Sequence, residues 1–198
     1  HYLIYADLFD TEGLVSSPPG AGRKAHILEA LDAYAMDYPR LRKRSDRYPT
    51  PDALRAAARQ GAVDPAPAAG FSVPTEGSRQ IIERARAADP RPLWILVWGS
   101  ITDVAQALHD APEITPKLRV YSIGSWNTRM DPHARDYVVK HHPDLWLIEA
   151  DTTFRGMYVG GTQADDLGNA AFVERHVRSR GALGDLCFAK KQNIKMGD

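Results

Sequence analysis

"PLWILVWGSITDVAQAL", residues 92–108, decides the fold. Leu93 to Trp98 is an unbroken apolar run bounded by Pro92 and Gly99, too short for a membrane span and suited to a strand buried on both faces, as parallel sheets require. Gly99-Ser100 breaks the run, and "TDVAQALHDA", 102–111, continues at once with helical spacing. Two readings of the turn stand side by side. Ser100 or Thr102 caps the helix and satisfies N–H groups of its first turn. Alternatively, Gly99 lets the backbone approach a ligand, and Thr102 offers it a hydroxyl or a carbonyl oxygen.

The same alternation extends in both directions. Strands are predicted at 12–17 ("EGLVSS"), 117–124 ("KLRVYSIG") and 144–150 ("DLWLIEA"). Helices are predicted at 1–7, at 22–39 stopping before Pro39, and at 50–61 with Thr50 as N-cap, Pro51 in the first turn and Gly61 as stop. Further helices are predicted at 75–89, at 131–142 with Asp131 as N-cap, and at 169–181 closed by Gly181. Strands alternating with helices give an α/β fold with a mainly parallel sheet flanked by helices. Trp94 and Trp146, inside apolar strands, are expected in the core. In such a fold the ligand crevice lies at the carboxyl ends of the strands. The loops to read are therefore Ser16–Gly22, Trp98–Asp103, Gly124–Asp131 and Ala150–Arg155.

Composition narrows the partners. Of 198 residues, 43% are hydrophobic and 25% charged, which suits one globular domain, 1–198. Lys+Arg and Asp+Glu are both 25, so no bulk field attracts nucleic acid or an anionic membrane. Small ligands and local charged sites are left, with room for a homo-oligomer. Cys187 is the single cysteine, so neither an intramolecular disulfide nor a thiolate metal cluster can form. The chain opens on "HYLIYADLF" and ends on "NIKMGD", which reads as an internal piece of a longer protein.

Several loop residues carry two readings each. In "SIGSWNTRMDPHA", Asn127 can bond sugar hydroxyls through both halves of its amide and Trp126 can cover a ring face; the same residues also suit an ordinary turn. Glu149, Asp151 and Arg155 are candidates for acid/base work or for a cap and a surface ion pair. Asp165-Asp166 is read as favouring a helix dipole rather than binding a cation. "GLVSSPPGAGR" could seat an anion but lacks the spacing of a P-loop or a dinucleotide fingerprint. His141-His142 closes a helix, where cations meet the negative end of the dipole.

Taken in order, these pieces resemble the nucleoside hydrolases. "PLWILVWGSITDVAQAL" is similar to that family's strand followed by G-P-L-T-N-[LI]-A, with Gly99, Thr102 and Ala105 matching, Ser100 in place of Pro and Asp103 in place of Asn. "VYSIGSWNTRMDPHA" resembles its next strand, Asn-bearing loop and D-P-x-A helix start. "EGLVSS", "PTEGSRQII", "RPLWILVWGS", "LRVYSI", "DLWLIEA" and the terminal "KMGD" resemble the cellulose-binding, nucleoside-hydrolase-like branch.

The resemblance implies a Rossmann-like core and Ca²⁺-assisted hydrolysis of an N-ribosidic bond in a nucleoside. It makes Thr102 a carbonyl ligand of calcium, Asp198 a late metal ligand, and Asn127 a ribose contact, with Trp126 beside it. It places the D-x-D-x-x-x-D-D cluster, and with it the first strand, most of the metal site and the catalytic base, before His1. It also implies further chain beyond the C-terminus. The alternative reading is a non-catalytic carbohydrate-binding module in which rim aromatics stack on sugar faces. With Trp94 and Trp146 assigned to the core, Trp98 and Trp126 are too few for a flat platform, which favours the hydrolase reading.

Overall fold

A computed structural model describes residues 1–18, 22–151, 164 and 169–191. The chain divides into two compact units, one formed by His1–Thr11, Leu28–Ala56 and Thr152–Asp198, the other by Glu12–Ile27 and Ala57–Asp151.

The second unit carries the sheets. Strands β3 (Leu93–Val97), β4 (Leu118–Ile123) and β5 (Trp146–Ala150) lie parallel in that order, with Leu93 opposite Leu118 and Arg119 opposite Trp146. β1 (Leu14–Val15) and β2 (Ala58–Arg59) form a separate parallel pair. The expected strand at 12–17 is thus pared to its two central residues. Helices α3 (Glu76–Arg86), α4 (Thr102–Asp110) and α6 (Pro132–His141) pack on one another. Val97, Val104, Leu108, Leu118, Val120 and Val138 form the centre of a single core between them and the sheet. Every residue of α4 from Thr102 to Leu108 is buried, the polar Thr102, Asp103 and Gln106 included.

That core occupies one face of the sheet. Along β3, Leu93, Ile95 and Val97 point to it, while Trp94 is 49% exposed; on β5, Trp146 is 54% exposed. The expectation that both tryptophans are core is corrected. Six apolar residues in a row read as a strand buried on both sides, yet the period-two pleat sends alternate residues to a face left open here. The two indoles meet edge to face at 6.4 Å between centroids, and Arg119 lies over the Trp146 ring.

The first unit is helical. Its α1 (Lys24–Arg44, with Lys24 to Ile27 in the other unit) runs straight through Pro39, where the sequence predicts a stop. Pro39 forfeits one hydrogen bond to the Ala35 carbonyl. Burial of Leu31 and Tyr34, and the Tyr34 hydroxyl donating to the Pro49 carbonyl at 2.7 Å, hold the helix together around it. Burial and neighbouring tyrosines push the Tyr34 phenol up to about 12. α2 (Pro51–Ala57) ends earlier than predicted, and the chain enters β2 before reaching Gly61. Gly61 serves close approach instead: a Cβ there would sit 2.1 Å from the Ser16 carbonyl oxygen.

α7 (Asn169–His176) likewise ends before Gly181, and α8 (Ala182–Lys191) follows. Gly181, at φ +113°, leads into α8 rather than closing a helix. The Asp37 carboxylate accepts from the backbone N–H groups of Ala182 and Leu183 at 2.9 and 2.8 Å. It thereby caps a helix 145 residues away with both oxygens. Among the described residues no helix is long and apolar enough to cross a membrane.

Replacing Asp37 by Ala removes this cap and should cost about 1–2 kcal/mol. The check is urea unfolding followed by circular dichroism. Asp37→Asn should retain part of that loss, and an unchanged midpoint in Asp37→Ala would refute the capping role.

Candidate functional site

The loops that leave the carboxyl ends of the strands converge within the second unit. After β1, Ser16 to Pro18 runs against Gly99 and Ser100 after β3: the Ser100 N–H donates to the Pro18 carbonyl at 3.4 Å. A Cβ on Gly99 would meet the Ser17 hydroxyl at 2.3 Å, so this turn needs glycine for chain-to-chain contact. α4 has no side-chain cap bond, and the buried Ser100 hydroxyl has no partner among the described residues. Ser100 is therefore not the cap that its position predicts. Its hydroxyl is buried in the turn between β3 and α4, and nothing in its spacing distinguishes it from a capping serine.

Thr102 opens α4 and is buried; its hydroxyl donates to Asp131. Asp131, predicted as an N-cap, makes no cap bond to α6. Its other oxygen accepts from the Ala66 N–H at 3.1 Å, so the carboxylate joins the start of α4 to the loop after β2. Asp103 does the parallel job one residue along. Both of its oxygens face the Ala62 N–H, at 3.2 and 3.1 Å, and the Thr75 hydroxyl donates to it. Burial pushes the Asp103 carboxyl up; the Thr75 and Ala62 hydrogen bonds pull against that shift, and the Asp131 charge adds to it. Thr75 is also the N-cap of α3, in a capping box with Ser78.

The β4 loop carries Trp126 and Asn127. The expected turn is a short helix, α5 (Trp126–Met130), entered through Ser125 at φ +59°. Asp151, after β5, accepts from the Ser125 N–H at 2.8 Å and holds that entry. Asn127 spends one amide hydrogen on the Ile123 carbonyl at 3.2 Å. Trp126 is 53% exposed and Trp98, at the end of β3, 56%. Glu149 accepts from Arg135 at 2.9 Å and from the Thr128 hydroxyl at 2.8 Å. Arg135, and then the Thr128 bond, hold its carboxyl below the usual range against the effect of burial.

Thr102, Trp126 and Asn127 thus lie on the loops after β3 and β4, as the sequence places them. Asp198, Arg155 and the Asp165-Asp166 pair lie outside the described residues. His141 and His142 end α6 around Tyr137, with ring centroids 4.9 and 5.6 Å from it. Burial, followed by the neighbouring His141 and His109, lowers the His142 pKa. Among the described residues no three His, Cys, Asp or Glu side chains are grouped to hold a metal. Asp103, Asp131, Glu149 and Asp151 are each engaged as above. The described residues do not themselves make the oxygen cage that Ca²⁺ takes.

Over residues 1–198 the sequence matches the family model described as cellulose-binding Sde182, nucleoside hydrolase-like domain. The chain belongs to that family. Among solved structures it is similar to a nucleoside hydrolase-related hypothetical protein from Saccharophagus degradans, described as associated with carbohydrate metabolism. The two share 27% identity at a TM-score of 0.72, over 92% of this chain and 44% of the other. The chain therefore spans under half the length of that relative. Comparison with curated proteins returns no match. The nucleoside-hydrolase-like, Rossmann-like core expected from the sequence is thereby established.

The raised pKa of Asp103 has a signed consequence. The folded state keeps this proton at pH values where the unfolded chain, near 3.9, has lost it. The contribution of Asp103 to stability is thus fully present below that value and is lost as pH rises through its folded pKa. Asp103→Asn can accept from Ala62 and bond Thr75 without a charge. It should gain stability relative to the parent between pH 4 and 7, measured by thermal unfolding at each pH. A difference that is flat with pH, or falls, contradicts this.

Proposed function

We propose that this domain binds a saccharide at the carboxyl edge of its parallel sheet, with Trp126 stacking on a sugar ring and Asn127 bonding its hydroxyls. One observation carries the reading. At the strand ends the described carboxylates are already engaged in holding the loops, while Trp126 and Trp98 are each more than half exposed. Aromatic faces take up sugar rings through their apolar C–H surfaces, and an amide fixes orientation by bonding hydroxyls. Trp94 and Trp146 are exposed as well, but on the open face of the sheet, so at the carboxyl edge the aromatic contribution is that of Trp126 and Trp98. The cellulose-binding family description and the carbohydrate association of the Saccharophagus degradans relative point the same way.

Ca²⁺-assisted hydrolysis of an N-ribosidic bond is the second reading. It rests on the match of Gly99, Thr102, Ala105, Asn127 and Asp131 to the motifs of the nucleoside-hydrolase resemblance. On this reading Thr102 and Asp198 hold the ion, and the base is one of the aspartates expected before His1. The 198 residues by themselves then bind without turning over.

Two measurements test this. Calorimetric titration with cellohexaose should show binding that Trp126→Ala weakens about tenfold, the loss of one good stacking contact. Equal affinity in parent and variant would overturn the assignment to Trp126. Calorimetric titration with inosine or uridine, with and without Ca²⁺, should show no binding. Nucleoside binding that the ion strengthens would make the second reading the correct one.

A further inference from the structure

The face of the sheet turned away from the core carries two rows of side chains across β3, β4 and β5. Trp94, Arg119 and Trp146 stand opposite one another in register, and Leu96, Tyr121 and Ile148 follow two residues along. Trp94, Leu96, Trp146 and Ile148 are all exposed. Arg119 turns back on the sheet: its guanidinium carbon lies 4.7 Å from the centre of the Trp146 ring, and one Nη donates to the Pro116 and Leu118 carbonyls at 3.0 and 2.7 Å. The three strands span about 10 Å, the width of one helix.

A parallel sheet is ordinarily covered by helices on both faces. Here α3, α4 and α6 all contribute to the one core and so lie on the same side. The strand order explains why. β3, β4 and β5 are added in one direction, and right-handed crossovers made in one direction put every helix on the same face. Helices reach the other face from connections that cross the sheet in the reverse direction. The connections from β3 to β5 include none. The Saccharophagus degradans relative has length to spare for one: this chain covers 44% of it, so more than half of that protein lies outside the match.

We infer that this face is the docking surface for one amphipathic helix of the full-length protein, supplied by chain outside residues 1–198 and laid with its apolar side over Trp94, Leu96, Trp146 and Ile148. The inference is independent of the saccharide reading and uses none of its residues. The two indoles are not a second sugar platform. Their planes cross at 60°, so one ring turns its edge to the other and no flat pair of faces is offered. A helix, whose side chains fill such a surface by interdigitating with it, suits crossed rings.

The test is hydroxyl-radical footprinting, read residue by residue by mass spectrometry, on the 198-residue chain and on the full-length protein. Oxidation of Trp94 and Trp146 should fall severalfold in the full-length protein at every protein concentration, with Trp126 as the internal reference. Trp146→Ser should lower the thermal midpoint by several degrees more in the full-length protein than in the 198-residue chain, since only the former has the helix contact to lose. Equal oxidation in the two proteins would overturn the proposal, as would a Trp146→Ser loss that is the same in both. Protection that fades on dilution would mark a second copy of the chain as the occupant and overturn it too. So would protection that appears only with cellohexaose, which marks a saccharide.

Discussion

Two buried carboxylates hold the crevice in shape. Asp103 and Asp131 each take a backbone N–H and a threonine hydroxyl in place of a cation. Through them the first turn of α4 is tied to Ala62 and Ala66, and so to the loop between β2 and α3. Charge buried on such terms is costly, as the raised Asp103 pKa records. What is gained is position: the Gly99–Thr102 turn, the loop after β2 and the start of α6 meet in one arrangement. Glycines at 61 and 99 complete it, because a side chain at either position would collide with the Ser16–Ser17 backbone or hydroxyl.

This use of acidic residues bears on function. The described carboxylates at the strand ends accept from Ala62, Ala66, Ser125, Thr102, Thr75, Thr128 and Arg135, and so hold the loops in place. What these loops offer to a ligand is aromatic surface and the Asn127 amide, the parts that the proposed saccharide site uses. Nucleoside hydrolase-like architecture and saccharide binding are compatible here, because a fold sets where a site lies and not which chemistry it performs.

Much of this was legible in the sequence, and the failures have physical causes. The strand–turn–helix of 92–108 and the strands at β4 and β5 follow from apolar run length and helical period, which report burial directly. Thr102, Trp126 and Asn127 fall on the right loops because the crevice rule depends only on strand direction. Asp131 was misread because D-P before a helix is a capping signal, whereas a contact across 65 residues with Ala66 leaves no local trace. Pro39 was misread as a stop because local propensity carries no knowledge of the Tyr34–Pro49 bond. Trp94 and Trp146 were assigned to the core because a run of apolar residues does not say whether both faces of its sheet are covered.

The central claim is that saccharide meets the protein at Trp126, on the loop after β4. The indole N–H signals of Trp94, Trp98, Trp126 and Trp146, each assigned by single Trp→Phe replacement, distinguish the surfaces in one ¹⁵N-correlated NMR titration with cellohexaose. The account expects the Trp126 signal to shift saturably while those of Trp94 and Trp146 stay in place. A titration that moves Trp94 and Trp146 and leaves Trp126 unmoved would place binding on the open face of the sheet and contradict it.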